Sequence, residues 1–130
     1  MTVVEDRFAI MDLMARYSHL VSDRRYEAFG LLYTEDGGLV DADGARGRGP
    51  ASMATYVRAS QEGWGPFKQV TVNQVIEIDG DDATGRSDYF IVRRDDGEIR
   101  VHVAGRYDDV YRRTPEGWRF VTRSITPLGG

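Results

Sequence analysis

Residues 98–113 read EIRVHVAGRYDDVYRR. Successive side chains of a strand point to opposite faces, so the run divides into two sets. Val101, Val103, Gly105, Tyr107, Asp109 and Tyr111 form one set, which is apolar and aromatic apart from a single carboxylate. Arg100, His102, Ala104, Arg106, Asp108, Val110 and Arg112 form the other. The first set is expected to look inward and the second outward. Strands of the same kind lie on either side. Phe67 to Asp79 precedes an Asp79-Gly80-Asp81-Asp82 turn, and Ala83 to Arg94 precedes Asp95-Asp96-Gly97. After the central strand, Glu98 to Arg113, come Thr114-Pro115-Glu116-Gly117 and a last strand, Trp118 to Thr126. Consecutive hairpin signals predict a mostly antiparallel sheet.

The first half of the chain has a different period. Thr2-Val3-Val4-Glu5 has capping-box spacing. Behind it, Ile10, Leu13, Met14, Tyr17, Leu20 and Val21 recur on one helical stripe. The helix is expected to stop near Ser22 and Asp23, and a second one carries Tyr26, Phe29, Leu32 and Tyr33. Glu35-Asp36-Gly37-Gly38 reads as a turn, Leu39-Val40-Asp41 as a short strand, and Pro50 to Gln61 as a third helix with proline at its first position. Helices first and a meander afterwards predict an α+β fold, with helices packed on one face of a curved sheet.

The bulk properties narrow the function. The chain has 130 residues, which suits one domain, 1–130. The net charge of −4 and the absence of a clustered basic face argue against nucleic acid. There is no cysteine, so disulfides, thiol nucleophiles and thiolate metal sites are excluded. His19 and His102 are the only histidines, which disfavours a histidine-rich metal site. No run approaches the ~20 apolar residues of a membrane span, and the first residues do not read as a signal peptide. A cytoplasmic protein with no membrane partner is expected. Gly47 and Gly49 lack the spacing of a phosphate-binding fingerprint.

Asp109 is the first candidate for chemistry, because an inward carboxylate needs partners or a raised pKa. The alternative is a bulge near Tyr107 that leaves Asp109 in solvent. Tyr17, on the buried stripe, can donate a hydrogen bond to a ligand oxygen or serve as a core tyrosine. Asp41 ends its short strand either facing a cavity or as a turn residue. Gln69, Thr71 and Asn73 share one face of their strand, lining a cavity or facing solvent. Trp64 lies in a Trp64-Gly65-Pro66-Phe67 loop that could rim a pocket mouth or staple a loop. His102 and His19 read as surface or interface residues.

The order of these elements resembles the SnoaL-like and ketosteroid-isomerase-like branch of the nuclear-transport-factor-2-like superfamily. The local matches are Met14-Ala15-Arg16-Tyr17, Leu32-Tyr33-Thr34-Glu35-Asp36, Asn73 to Gly80, Gly105-Arg106-Tyr107-Asp108-Asp109 and Gly117-Trp118-Arg119-Phe120. The resemblance covers nearly the whole chain and implies a cone-shaped fold, which by itself hosts many reactions. It implies Tyr17 as an oxyanion donor, Asp41 as the base and a protonated Asp109 as a second donor, the arrangement known for ketosteroid isomerases. Dehydratase-like relatives carry a histidine where this chain has Gln69, four residues before Asn73, and their aspartate corresponds to Ser22 or Asp23. Glutamine cannot act as a general base. Epoxide-hydrolase-like relatives carry an arginine where this chain has Tyr107, two residues before Asp109.

The resulting expectation is a cofactor-independent, metal-free acid–base enzyme acting on a small, mostly apolar carbonyl compound, by isomerase- or cyclase-type proton transfer. Asp23, Gln69, Asn73, Asp88, Tyr107 and Trp64 would shape the substrate site. Asp109 is expected to be neutral, because no lysine or arginine shares its face of the strand. The alternatives are a dehydratase-like member, a non-catalytic binding module, and an assembly subunit whose cone is filled by side chains. A homodimer is expected, with His102 and Arg106 on the outer sheet face near the contact.

Overall fold

Thr2 starts the first helix as its spacing predicts. Its hydroxyl accepts from the Glu5 amide and the Glu5 carboxylate returns to the Thr2 amide, satisfying donors that a helix start leaves free. In the computed structural model, which describes residues 2–129, this helix is α1 (Val3–Ser22). It is followed by α2 (Tyr26–Gly30), β1 (Tyr33–Asp41), β2 (Gly44–Ala45) and α3 (Pro50–Ser60). Four long strands complete the chain: β3 (Phe67–Asp79), β4 (Asp82–Asp95), β5 (Glu98–Thr114) and β6 (Gly117–Pro127). They form a six-stranded sheet in the order β2-β1-β6-β5-β4-β3. All neighbours are antiparallel except β1 and β6. The helices cover one face of this sheet, α1 lying on β3 and β6 and α3 on β1.

The core is the meeting of the α1 stripe with the inward set of the strands. Ile10, Met14, Tyr17 and Val21 meet Phe29, Tyr33, Met53, Tyr111 and Phe120, all with almost no exposure. At the α1 end the buried carboxylate of Asp6 accepts from Arg113 at 2.6 and 2.7 Å and from the Trp118 indole at 3.1 Å. The hydrogen bond from Arg113 holds the Asp6 pKa below the ordinary carboxylate value, against the effect of burial. This clamp ties the helix to the β5–β6 hairpin.

Departures from simple alternation decide where side chains point. β1 begins at Tyr33 rather than at Leu39, and the expected turn at Glu35-Asp36-Gly37-Gly38 is absorbed as an irregularity in its pairing with β6. Gly37 makes this possible, since a Cβ there would lie 2.5 Å from the Val121 carbonyl oxygen. β3 bulges between Val72 and Val75, with Asn73 at a φ of 58°. β6 shifts register against β5 between Val110 and Tyr111, which leaves Val121 as an extra residue. The second helix is consequently shorter than expected, and Tyr33 belongs to a strand.

Candidate functional site

Asp109 points inward from β5, as the alternation of that strand requires, and is 2% exposed. Directly opposite on β6 stands Arg123, 0% exposed. Its Nε donates to Asp109 Oδ1 at 2.8 Å and its Nη2 to Oδ2 at 2.9 Å. The Tyr111 hydroxyl donates to Oδ2 at 2.7 Å. Every hydrogen bond at Asp109 is thus donated to the carboxylate, and a guanidinium faces it. This corrects the expectation of a neutral, donating Asp109. The cation comes from the neighbouring strand, which the parity of β5 alone does not reveal.

Sequence reading missed Arg123 for a definite reason. Strict alternation from Trp118 and Phe120 would turn Thr122 inward and Arg123 outward. The extra residue at Val121 resets the parity, so Arg123 and Ile125 face the interior instead. Once inside, the guanidinium is caged by aromatic rings. Its carbon lies 3.8 Å from the Tyr107 centroid, 4.3 Å from Tyr17 and 4.4 Å from Phe120. Such contacts offset part of the cost of burying the charge. Burial works against the Arg123 cation, but Asp109 and the surrounding hydroxyls outweigh it, and its pKa stands above the ordinary value.

The hydroxyls around the pair form a donor-rich layer. Tyr17 and Tyr33 hydroxyls are 3.2 Å apart. Gln69 Nε2 donates to the Tyr107 hydroxyl at 2.9 Å, and the Tyr107 ring stacks on Tyr89 with centroids 4.3 Å apart. Burial pushes the phenols of Tyr17, Tyr33 and Tyr107 above their ordinary pKa, so each keeps its proton at neutral pH. Two buried polar atoms in this region have no protein partner: Arg123 Nη1 and the hydroxyl of Ser87, which pairs across the sheet with Tyr107. A buried donor without a partner is costly and calls for a water or a ligand atom.

Of the sequence-predicted residues, Tyr17, Tyr107, Gln69 and Asp109 come together here. Asp41 does not join them. It shares the parity of Leu39 near the end of β1 and is held there by Arg46 at 2.6 and 2.7 Å. That hydrogen bonding lowers the Asp41 pKa, despite an opposing contribution from partial burial. Asp88 lies on the opposite face to Tyr89, where it accepts from Arg106 at 3.1 Å and from Asn73 at 3.0 Å. The β3 bulge takes Asn73 out of the set that holds Gln69. Both are therefore outer-face residues, not part of the interior. Asp23 caps the end of α1, exposed, with Lys68 4.0 Å away. Trp64 packs edge-on against Phe67 and His102, at 5.2 and 4.8 Å. His102 is not on the outer face with Arg106: β5 bulges where it passes Ile91 and Val92, and the imidazole meets Trp64.

The fold is shared with known proteins. The chain matches the SnoaL-like domain family over residues 2–124. An uncharacterized protein of Mycobacterium tuberculosis is 27% identical in an alignment 128 positions long that covers 95% of this chain and 86% of that protein. The crystal structure of a nuclear-transport-factor-2-like protein with a cystatin-like fold from Novosphingobium aromaticivorans superposes with a TM-score of 0.88 at 30% identity, covering 98% of this chain and 85% of that one. A proposed aromatic ring hydroxylase from the same organism gives 0.84 at 26% identity, covering 98% and 92%. With helices on a curved open sheet and a family match over nearly its whole length, the chain belongs to the SnoaL-like family of the nuclear-transport-factor-2-like superfamily.

Proposed function

We propose that this protein acts, as a cytoplasmic homodimer, on a small, mostly apolar carbonyl compound by isomerase- or cyclase-type proton transfer. The observation that carries the reading is the unpartnered Arg123 Nη1, buried within a ring of protonated phenols. A ligand carbonyl oxygen accepting from it would be polarised, and Tyr17 would stabilise the charge that develops when a neighbouring proton leaves. Asp109 already neutralises the guanidinium, so the oxygen bound there belongs to a neutral ketone, ester or quinone. A carboxylate at that point would leave an uncompensated buried charge. Asp41 lies outside this cluster and is held by Arg46, so it is the base on this reading only for a substrate that reaches from Arg123 to the end of β1 and displaces Arg46.

A second reading is binding without turnover. It is favoured by the fact that both carboxylates proposed for chemistry are tied to arginines. Exchange of the α-protons of a bicyclic enone in deuterated water separates the two. Enzyme-dependent exchange that Tyr17→Phe slows supports catalysis. Saturable binding of the enone with no exchange supports the second reading, and neither binding nor exchange removes both.

A further inference from the structure

A second polar site lies at the other end of the inward set of β4. Arg93 follows Ile91 on that set and is paired across the sheet with Phe67 on β3 and Arg100 on β5. Like charges directly opposite each other on neighbouring strands are unfavourable. Arg100 is occupied by Glu98, at 2.8 and 3.2 Å. Among the described residues no carboxylate pairs with Arg93, whereas Arg86 and Arg106 on the outer face each hold an aspartate. His102 also lies beside Arg93, its Nδ1 3.5 Å from Nη1, and the Arg93 Nε is buried with no partner.

The Arg93 guanidinium carbon lies 5.1 Å from the Trp64 ring centroid, and the same ring meets Phe67 and His102. Arg24 fixes the loop by donating to the carbonyls of Trp64 and Gly65 at 2.6 and 2.9 Å, while lying over Phe67. The nearby Asp23 is directed to Lys68. A guanidinium over an indole, with an unpartnered buried N–H and an imidazole beside it, supplies donors for an oxyanion.

We infer that Arg93 and His102 bind the carboxylate or phosphate head of an amphipathic small molecule whose apolar body lies against Trp64. This site is separate from the Arg123 cluster and adds a second recognition point to it. Carboxylate and phosphate share the acceptor geometry that these donors read.

The test is a titration of the whole chain with naphthoate, naphthyl phosphate and the uncharged naphthamide, followed by the NMR signals of the Arg93 Nε–H, the Trp64 indole N–H and the Arg123 Nε–H. Naphthoate or naphthyl phosphate should move the first two saturably, with Kd on the order of 1 mM or tighter. Naphthamide should bind roughly tenfold more weakly, because the charge-assisted hydrogen bonds are lost. The tighter of the two anions identifies the head group. Arg93→Gln should erase the preference for the anions, and should that variant not fold, the comparison of the three probes on the native chain decides alone. Equal binding of all three probes overturns the inference, as does saturable movement of Arg123 alone or no saturable shift with any probe. Movement at Arg123 reports on the interior reading independently.

Discussion

Arg123 and Asp109 face each other across β6 and β5, joined by two hydrogen bonds of 2.8 and 2.9 Å and closed off from solvent. Desolvating two charges is expensive, so the pair is poor evidence of net stabilisation, yet removing one partner strands the other. Arg123→Met and Asp109→Leu are each expected to destabilise the fold by about 3–5 kcal/mol. Asp109→Leu combined with Arg123→Met should cost clearly less than the sum of the two single changes. Urea midpoints of the four proteins check this. Additive losses would mean that the two side chains are not coupled.

The interior phenols have separable roles. Tyr107→Phe removes the acceptor of Gln69 and should cost about 1 kcal/mol in unfolding free energy. Tyr17→Phe should leave stability within a similar margin while lowering proton-exchange turnover by about 10²-fold, the usual loss for one oxyanion donor. Equal turnover of Tyr17→Phe and the native chain would remove Tyr17 from the chemistry.

Arg46 sets the proton affinity of Asp41. Its hydrogen bonds hold the Asp41 pKa below the ordinary value, so Asp41 stays ionised to lower pH than a free aspartate. With Asp41 as base, Arg46→Gln should shift the acid limb of the pH–rate profile to higher pH. An unchanged acid limb would show that the base is another group.

Asp6 links stability to pH. Its folded pKa is depressed, chiefly by the Arg113 hydrogen bond, so its contribution is present above the unfolded carboxylate value near ~4 and is lost as pH falls through the folded value. Tm should fall below about pH 4 more steeply for the native chain than for Asp6→Asn, which starts lower at neutral pH. Parallel Tm curves would rule out this linkage.

We propose that the outer sheet face meets a second copy of the chain. Val75 and Val110 are exposed there, beside the Arg86–Asp108 and Arg106–Asp88 pairs, whose alternating signs suit a two-fold contact. Sedimentation at micromolar concentration should give a dimer, and Val110→Lys should give a monomer. A monomeric native chain would refute the proposal.

The sequence by itself determined which faces exist. The capping box at Thr2, the Ile10–Tyr17 stripe and the two sets of residues 98–113 are local periodicities, and they specified helix starts, hairpins and the inward position of Asp109. They also put Tyr17 and Tyr107 on inward faces, while the place of Gln69 beside Tyr107 came from the structure. What the tertiary structure alone decided is who stands beside them. One extra residue in β6 turned Arg123 inward, a bulge in β3 took Asn73 away, and a bulge in β5 swung His102 onto Trp64. Alternation has a period of two, so a single inserted residue inverts every side chain beyond it. Such an insertion is fixed by pairing with the next strand, which no one strand's own sequence records.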